Sequence, residues 1–253
     1  MATIAVGDVH GYLAPLDDLL AAITPNIAVG DTVVFLGDII DRGPDSKGCV
    51  DRILQFREQT PADVVALCGN HEQWMLRSKA DPTRHSWLLG MVLFETIGSY
   101  SIDASARIRE AMATAGSRLF LERVALPYDL FFDAFPPAHL QFFEELRMYY
   151  RGADGVCVHG GVDPRVTCLE EQTTDALIWG AKTFPEAYDG RELVVYGHHN
   201  NAEVDARGWP HPNIAGATIG IDTIAHGVLT AIRLQDRRVF QSAMFQNAKR
   251  GED

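Results

Sequence analysis

Residues 37–43 read Gly-Asp-Ile-Ile-Asp-Arg-Gly, a short segment that holds two carboxylates, Asp38 and Asp41, and one guanidinium, Arg42. The segment follows the apolar run at 32–36, which is typical of a buried strand in a sheet covered on both faces. Its glycines allow a sharp turn where the chain leaves that strand. Because carboxylates bind hard cations and an arginine fork binds phosphate, this loop is a candidate site for both.

Four other loops have the same build, since each follows an apolar, strand-like run and carries side chains that can bind a metal ion. Helical patterns alternate with the first strands, which predicts right-handed crossovers and a parallel sheet. Ligands of such a sheet lie outside the carboxyl ends of its strands. The five loops together offer two carboxylates, one amide oxygen and three imidazoles: Asp8 and His10, Asp38, Asn70, His159, and His198.

This set of ligands indicates what kind of metal site to expect. Oxygen donors with imidazole suit Mn²⁺, Fe or Zn²⁺ better than a thiolate site would. Six ligands are too many for one open catalytic zinc. They fit two ions bridged by a carboxylate and separated by ~3.5–4 Å. Asp38 is the expected bridge, because it is the sole carboxylate directly after Gly37.

These segments, taken in order, resemble the PPP family of metallophosphatases, within the wider calcineurin-like metallophosphoesterases. The Asp-Arg-Gly ending of the second segment is similar to the PPP branch in particular. Bacterial and phage members of this branch include protein phosphatases and symmetrical diadenosine tetraphosphate hydrolases. The resemblance runs through Gly-Asp-x-His-Gly at 7–11, Gly-Asp-x-x-Asp-Arg-Gly at 37–43, Gly-Asn-His-Glu at 69–72, His-Gly-Gly at 159–161 and Gly-His at 197–198.

The resemblance implies one α/β domain over residues 1–253, built as a four-layer α/β/β/α sandwich in which helices flank two mixed sheets. The residues themselves predict helices over 13–23, from Ser46, and over 73–79. Short strand-like runs at 218–221, 228–232 and 239–240 predict an antiparallel second sheet. A polar tail follows at 248–253.

The segment at about 80–150 has helical spacing and several aromatic residues, but no strand run of comparable strength. We expect it to form a mostly helical insertion that packs beside the sheet and overhangs the site. Its phenylalanines are expected to form its core: Phe120, Phe131, Phe132 and Phe135.

The resemblance also implies how the metals are held and what they do. Mn²⁺ is the favoured pair, with Fe, Zn²⁺ and Mg²⁺ left open. A water bridging the two cations would lose a proton and attack phosphorus in line. The first metal would be held by Asp8, His10 and Asp38, and the second by Asp38, Asn70, His159 and His198.

Three further residues would act on the substrate. The resemblance implies that His71 protonates the leaving oxygen as a general acid and that Asp41 orients it. Arg42 would bind phosphate oxygens bidentately and offset charge in the transition state.

One departure from the family pattern concerns a second phosphate-binding arginine, which usually stands two residues after a tryptophan. Here Trp179 is followed by glycine and then by Ala181 at the arginine position. Lys182 is the candidate substitute, as a point charge without the arginine fork. Arg165 and Arg191 are alternatives.

Several polar residues have a structural interpretation instead. Asp8 or Asn70 alone could cap a helix, and Arg42 alone could form a surface ion pair. His198 is preferred to His199 as a ligand because it directly follows a glycine. Structural roles are expected for the remaining candidates: His85, His139, His211, His226, Glu72 and Asp222.

Composition limits the classes of partner. The formal net charge of −12 and the sequence pI near 5.1 argue against non-specific nucleic-acid binding and against an anionic membrane surface. The sequence contains no apolar run of ~18 residues, so no transmembrane helix is expected. Residues 1–6 resemble a strand and not a signal peptide. The four cysteines lack metal-binding spacing, which favours core thiols in a reducing cytoplasm.

Three hypotheses about function follow. The first is a metal-dependent phosphomonoesterase acting on phosphorylated Ser, Thr or Tyr of proteins or on small aryl phosphates. The second is a symmetrical diadenosine tetraphosphate hydrolase, whose second nucleoside the insertion would accommodate. The third is a non-catalytic metal-binding scaffold that docks a partner. The sequence does not indicate the oligomeric state.

Overall fold

The apolar residues of the first strands alternate between two environments. In a computed structural model, which describes residues 1–200 and 202–245, Val33 and Phe35 face a helical layer. Val34, between them, packs against residues of a second sheet, among them Val195. The strand at 32–35 is therefore buried on both faces, as its continuous apolar run predicts. The predicted tail at 248–253 lies outside the described residues.

The first sheet has five strands in the order β11-β10-β1-β2-β3. The strands β1, β2 and β3 are parallel, whereas β10 pairs antiparallel with β1 and β11 pairs antiparallel with β10. Their bounds are β1 Thr3–Val6, β2 Thr32–Phe35, β3 Asp63–Ala66, β10 Thr230–Arg233 and β11 Arg238–Gln241.

The second sheet has six strands in the order β4-β5-β6-β9-β8-β7. Its central strands β5, β6 and β9 are parallel, and antiparallel neighbours flank them on both sides. The bounds are β4 Tyr149–Gly152, β5 Gly155–Val158, β6 Val194–Tyr196, β7 Ala202–Val204, β8 Pro210–Ala215 and β9 Thr218–Gly220.

The prediction of an antiparallel second sheet from the last three strand runs was wrong. The run at 218–221 contributes β9, which lies inside the second sheet and parallel to β6. The runs at 228–232 and 239–240 contribute β10 and β11, which extend the first sheet beside β1. The antiparallel pairing of β10 with β11 agrees with their short spacing, but spacing does not specify which sheet the pair joins.

Helices cover the outer faces of the two sheets, so that the fold has the predicted four layers of helices, sheet, sheet and helix. Helix α1 has the predicted bounds, and α3 begins three residues earlier than predicted, at Asn70. The helices outside the insertion are α1 Leu13–Ile23, α2 Ser46–Gln59, α3 Asn70–Ala80 and α10 Thr174–Trp179, with short 3-10 turns at Thr24–Asn26, Leu169–Glu171 and Ile224–His226.

The segment predicted as an insertion is helical, and no helix of the described residues is long and apolar enough to cross a membrane. Phe131 is fully buried in it, and Phe132 and Phe135 pack against the same cluster. The expectation for Phe120 was wrong, because its side chain is 71% exposed. The helices are α4 Ser86–Gly90, α5 Leu93–Tyr100, α6 Ile102–Ala115, α7 Arg118–Leu121, α8 Asp129–Phe132 and α9 Pro137–Glu144.

Candidate metal centre

The carboxylate of Asp38 lies where the five predicted loops meet. Its Oδ2 is 3.6 Å from Nε2 of His10 and 3.8 Å from Nε2 of His71, whereas its Oδ1 is 3.4 Å from Nε2 of His159. Two groups have potential ligand atoms that all lie within 4.8 Å of one another: His10, Asp38 and His71, and Asp38, His159 and His198. Asp38 belongs to both groups, which is the position that a bridging carboxylate requires.

The remaining two predicted ligands lie beside these groups. Oδ1 of Asn70 is 3.0 Å from Nε2 of His159. Oδ2 of Asp8 is 4.0 Å from Nε2 of His10 and accepts the backbone N–H of His198 at 3.1 Å. A Cβ at Gly197 would overlap the Asp8 carboxylate, so the glycine before His198 allows the two loops to approach. The structure thus brings all six predicted ligands together.

Hydrogen bonds fix which ring nitrogen faces the centre. Nδ1 of His10 is 3.0 Å from the carbonyl oxygen of Ile40, and Nδ1 of His159 is 2.9 Å from that of Leu36. A carbonyl oxygen only accepts, so each Nδ1 carries a proton, and a ring that gives up its second proton to a metal would present the lone pair of Nε2 to the centre. Nε2 of His10 is buried and has no hydrogen-bond partner among the described residues. An orphaned buried acceptor of this kind fits a metal ligand.

The backbone at these positions is strained. The φ angles of His10, Asp38 and His198 are 49°, 51° and 72°, a left-handed conformation that L residues rarely adopt. Such strain persists where surrounding contacts over-determine it and is concentrated at functional sites.

Buried charge at the centre also fits a pair of cations. Burial, reinforced by Asp222, raises the pKa of Asp8 well above its usual value. Burial disfavours the charge on Asp38 as well, but neighbouring histidines, His159 first, hold its pKa well below the usual range. Burial opposes charge on His159 too, yet Asp38 raises its pKa to about 10. Bound divalent cations would replace the protons on Asp8 and His159 and would balance the negative charge of the buried carboxylates instead.

Glu72 fixes the loop that carries Asp38. Its buried carboxylate accepts the backbone N–H groups of Gly69, Asp38, Ile39 and Ile40 at 2.8–3.2 Å. Burial, with the nearby Asp38, raises its pKa to about 7. These contacts agree with the structural role expected for Glu72, and they join α3 to the loop after β2.

His71 lies between Asp38 and Asp41. Its Nδ1 is 2.7 Å from Oδ2 of Asp41, and its Nε2 is buried without a hydrogen-bond partner among the described residues. Burial opposes charge on the ring, but Asp38 and the hydrogen bond to Asp41 raise its pKa. A raised pKa keeps a proton available for transfer, which suits a general acid.

Two residues that the sequence analysis did not assign to the site also contact Asp41. Trp87 donates its indole N–H to Oδ2 at 2.8 Å, and Thr96 donates its hydroxyl to Oδ1 at 2.6 Å. Both come from the insertion, on α4 and α5. The helical spacing of apolar residues indicates which face of a helix is packed, but it does not indicate which polar atom contacts a carboxylate. No signal in the sequence therefore identified Trp87 and Thr96 as partners of Asp41.

The arginines predicted as phosphate-binding candidates differ in their ion pairs. Arg42 is exposed, has a φ of 67° and forms no ion pair within the described part of the chain. Its charge lowers the pKa of His10, after the larger effect of burial, so the guanidinium lies near the centre. Arg165 instead forms a two-pronged pair with Asp163, at 2.9 and 2.7 Å.

Lys182 lies on an open groove of ≈ 750 Å³ beside the centre. Trp74 and Trp179 form one part of its wall, with ring centroids 5.0 Å apart. The ring of Trp179 meets that of His198 edge-on at 5.4 Å, so one wall of the groove contacts a residue of the metal-binding groups. Arg77 also lines the groove, whereas Arg191 does not.

The other histidines lie outside the metal-binding groups, although the ring of His199 is 4.0 Å from that of His198, centroid to centroid. Nε2 of His199 is 3.2 Å from the carbonyl oxygen of Trp179. His85 contacts Tyr128 and Val124. The described metal-binding groups include none of His85, His139, His199, His211 and His226.

The comparison with known families agrees with this geometry. The family described as calcineurin-like phosphoesterase matches residues 1–227, and the chain therefore belongs to that family. Its members depend on two metal ions, and the relatives of this chain are consistent with the PPP type that the sequence resembles.

Two relatives and one solved structure illustrate the range within the family. A symmetrical bis(5'-nucleosyl)-tetraphosphatase of Pectobacterium atrosepticum is 38% identical over 85 residues, which are 34% of this chain and 28% of that protein. Serine/threonine-protein phosphatase 1 of Salmonella typhimurium is 38% identical over 86 residues, 33% of this chain and 36% of that protein. The matches thus span about a third of the relatives' length.

The solved structure is that of a protein provisionally named a diadenosine tetraphosphatase. It superposes with a TM-score of 0.61 at 20% identity and covers 97% of this chain and 94% of its own. At this identity the likeness concerns the fold alone.

Proposed function

We propose that the protein is a metal-dependent phosphatase that hydrolyses phosphomonoesters, either on phosphorylated Ser, Thr or Tyr side chains or on small aryl phosphates. The observation that carries the proposal is the position of Asp38, whose two oxygens face separate groups of imidazoles. Family membership supports hydrolysis of a phosphoester.

The residues divide between two metal positions. Cations bound there, with Mn²⁺ proposed as the native pair and Fe, Zn²⁺ or Mg²⁺ as substitutes, would lower the pKa of a bound water and so supply the nucleophile. Neutral imidazoles directed by their Nδ1 hydrogen bonds and carboxylates held by backbone N–H groups are already oriented for binding. Asp8, His10 and Asp38 would hold one ion, and Asp38, Asn70, His159 and His198 the other.

The remaining residues would handle the substrate. The Nε2 proton of His71 would pass to the leaving oxygen, while Asp41 holds the opposite nitrogen of the ring. Arg42, exposed beside the centre, would bind two phosphate oxygens through its fork. Lys182, which lines the groove, would contact the substrate there.

A panel of substrates and metals tests the proposal. The purified protein would be assayed on a phosphopeptide, p-nitrophenyl phosphate and diadenosine tetraphosphate with Mn²⁺, Mg²⁺, Zn²⁺ or a chelator. We expect hydrolysis of the monoesters that depends on metal and stops with the chelator. Metal binding without hydrolysis of any phosphoester would contradict the proposal and favour a non-catalytic scaffold.

The groove supports a second candidate, a symmetrical diadenosine tetraphosphate hydrolase. Aromatic faces on Trp74 and Trp179 suit stacking of a base, and Arg77 and Lys182 suit phosphate oxygens. The likeness to a named tetraphosphatase supports this candidate equally. In the same panel, a much higher kcat/KM for the dinucleotide than for the monoesters would establish it over the first.

We also propose that the enzyme works in the cytoplasm, without a nucleic-acid or membrane partner. All four cysteines are free, and three of them are buried. This state suits a reducing compartment.

A further inference from the structure

Asp41 is held by three polar side chains besides His71, and two of them, Trp87 and Thr96, come from the insertion. Oδ2 accepts the indole N–H of Trp87 as well as His71, and Oδ1 accepts the hydroxyl of Thr96. The backbone N–H of Asp41 is shared between the hydroxyls of Thr96 and Ser46, at 2.8 and 3.1 Å. All of these side chains are buried.

The donors in this network fix the direction of each hydrogen bond. The indole of Trp87 can only donate, so Oδ2 of Asp41 accepts its hydrogen. Because a carboxylate oxygen accepts, Nδ1 of His71, which shares that oxygen, is the donor. The Thr96 oxygen already accepts the backbone N–H of Asp41 and sends its own hydrogen to Oδ1. Ser46 therefore donates to Thr96 across the 2.9 Å between their oxygens.

We propose that Trp87 and Thr96 are positioning residues that orient His71 through Asp41, which makes the helical insertion part of the catalytic apparatus. The inference rests on the proposed function, since orientation of His71 matters to the rate only if His71 is the acid. Neither residue touches the substrate or the metal-binding groups. They act by fixing the Asp41 carboxylate, which accepts the hydrogen bond from Nδ1 of His71.

The two donors are themselves rigidly placed. Trp87 lies on α4 and packs against Phe131, with ring centroids 5.4 Å apart. Thr96 lies on α5, which is docked on α2 through the hydrogen bond from the N–H of Lys47 to Ser99 at 3.1 Å. Because Asp41 has a φ of 69°, these contacts also stabilise a backbone conformation that an aspartate rarely adopts.

Leaving-group dependence tests this role. Departure of p-nitrophenolate needs little protonation, whereas departure of phenolate needs a proton from the acid. For Thr96→Val and Trp87→Phe we expect kcat on phenyl phosphate to fall about 10- to 100-fold, and kcat on p-nitrophenyl phosphate to fall much less. Thr96→Ser, which keeps the hydroxyl, should restore the wild-type ratio. Equal losses on both substrates, or no loss, would overturn the inference.

Tyr100→Phe provides a matched control on the same helix. It removes a hydroxyl that is 2.8 Å from Nδ1 of His139 and does not contact Asp41. We expect the ratio of the two rates to stay at the wild-type value in this variant. A change as large as that in Thr96→Val would show that any loosening of the insertion has the same effect, and would overturn a specific role for Thr96.

A second measurement does not depend on activity. In ¹⁵N–¹H spectra of the protein, the hydrogen-bonded Nδ1 proton of His71 should give a downfield signal that is absent from His71→Asn. We expect Thr96→Val and Trp87→Phe to shift or broaden it, and Tyr100→Phe to leave it in place. If no phosphoester is hydrolysed but the signal responds in this way, the proposed function fails and the positioning stands. An unchanged signal refutes the positioning.

Discussion

Asp38 offers its two carboxylate oxygens to imidazoles from different loops, and this is the feature on which the site depends at the scale of single residues. Oδ1 faces His159 and Oδ2 faces His10 and His71. The sequence predicted the bridging position, because one carboxylate alone follows the glycine at the end of the second strand. It did not predict that His71 lies as close to Asp38 as His10 does.

His71 offers the most direct residue-scale prediction. His71→Asn removes the proton donor but leaves the proposed ligands in place, so turnover should fall about 10²–10⁴-fold while metal content is unchanged. Steady-state kinetics and elemental analysis of the same sample measure the two quantities. His211→Asn, an exposed histidine beside Asp205, should retain wild-type turnover. Full activity of His71→Asn would remove His71 as the acid.

Arg42 is predicted to bind the phosphate through the planar fork of its guanidinium. Arg42→Lys keeps the charge but loses the second N–H, so kcat/KM should fall about tenfold or more, and Arg42→Ala should lose further activity. Substrate-saturation curves separate the effects on kcat and KM. Arg191→Ala, an exposed arginine away from the groove, is the control. Equal activity of the Lys variant and wild type would show that only charge matters.

The loops at the strand ends explain, at the scale of elements, why so much of the site was predictable. A parallel strand that ends in a short polar loop places that loop at a known edge of the sheet, so the order of the segments indicated which residues would meet. The insertion was predictable as helical but not in its contacts. Its helices reach Asp41 through Trp87 and Thr96, and helical spacing carries no information about such long-range partners.

Glu72 provides the prediction for the junction of α3 with the loop after β2. Glu72→Gln replaces one acceptor oxygen by an amide that faces backbone N–H groups, leaving buried donors unsatisfied. We expect a loss of about 2–4 kcal/mol in the free energy of unfolding, measured by urea denaturation. Glu144→Gln, on an exposed glutamate, should change it by less than about 0.5 kcal/mol. Equal stability of Glu72→Gln and wild type would contradict the role assigned to these bonds.

Over the whole molecule, the two sheets bring loops that are far apart in sequence to one edge. The continuous apolar run at 32–36 predicted a strand covered on both faces, and the family resemblance supplied the four layers. The sheet to which the last hairpin belongs was not predictable, because β10 and β11 fit either sheet by length and polarity. Their pairing with β1 depends on the path of the chain after β9, which no local pattern specifies.

The charge balance of the centre predicts how the stability of the whole chain varies with pH. Asp38 raises the pKa of His159 above its unfolded value, to about 10. Without metal, the stabilisation from protonated His159 is complete below the unfolded pKa of about 6.5 and decreases as pH rises toward the folded value. The Tm of chelated protein should therefore fall between about pH 7 and 8.5.

Added Mn²⁺ should have the opposite trend over the same range. A metal requires the unprotonated ring of His159, so the increase in Tm on adding the metal should grow as pH rises. Differential scanning calorimetry at several pH values, with and without a chelator, measures both trends. A Tm that rises with pH in the chelated protein would contradict the charge assignment.

The central claim is that one carboxylate, Asp38, joins two divalent ions, and electron paramagnetic resonance of the Mn²⁺-loaded protein tests it most directly. Two ions separated by ~3.5–4 Å should be exchange-coupled, so we predict a coupled spectrum at two Mn²⁺ per chain that is lost in Asp38→Asn. An uncoupled spectrum from a single bound ion, or a coupled spectrum that survives in Asp38→Asn, would contradict it.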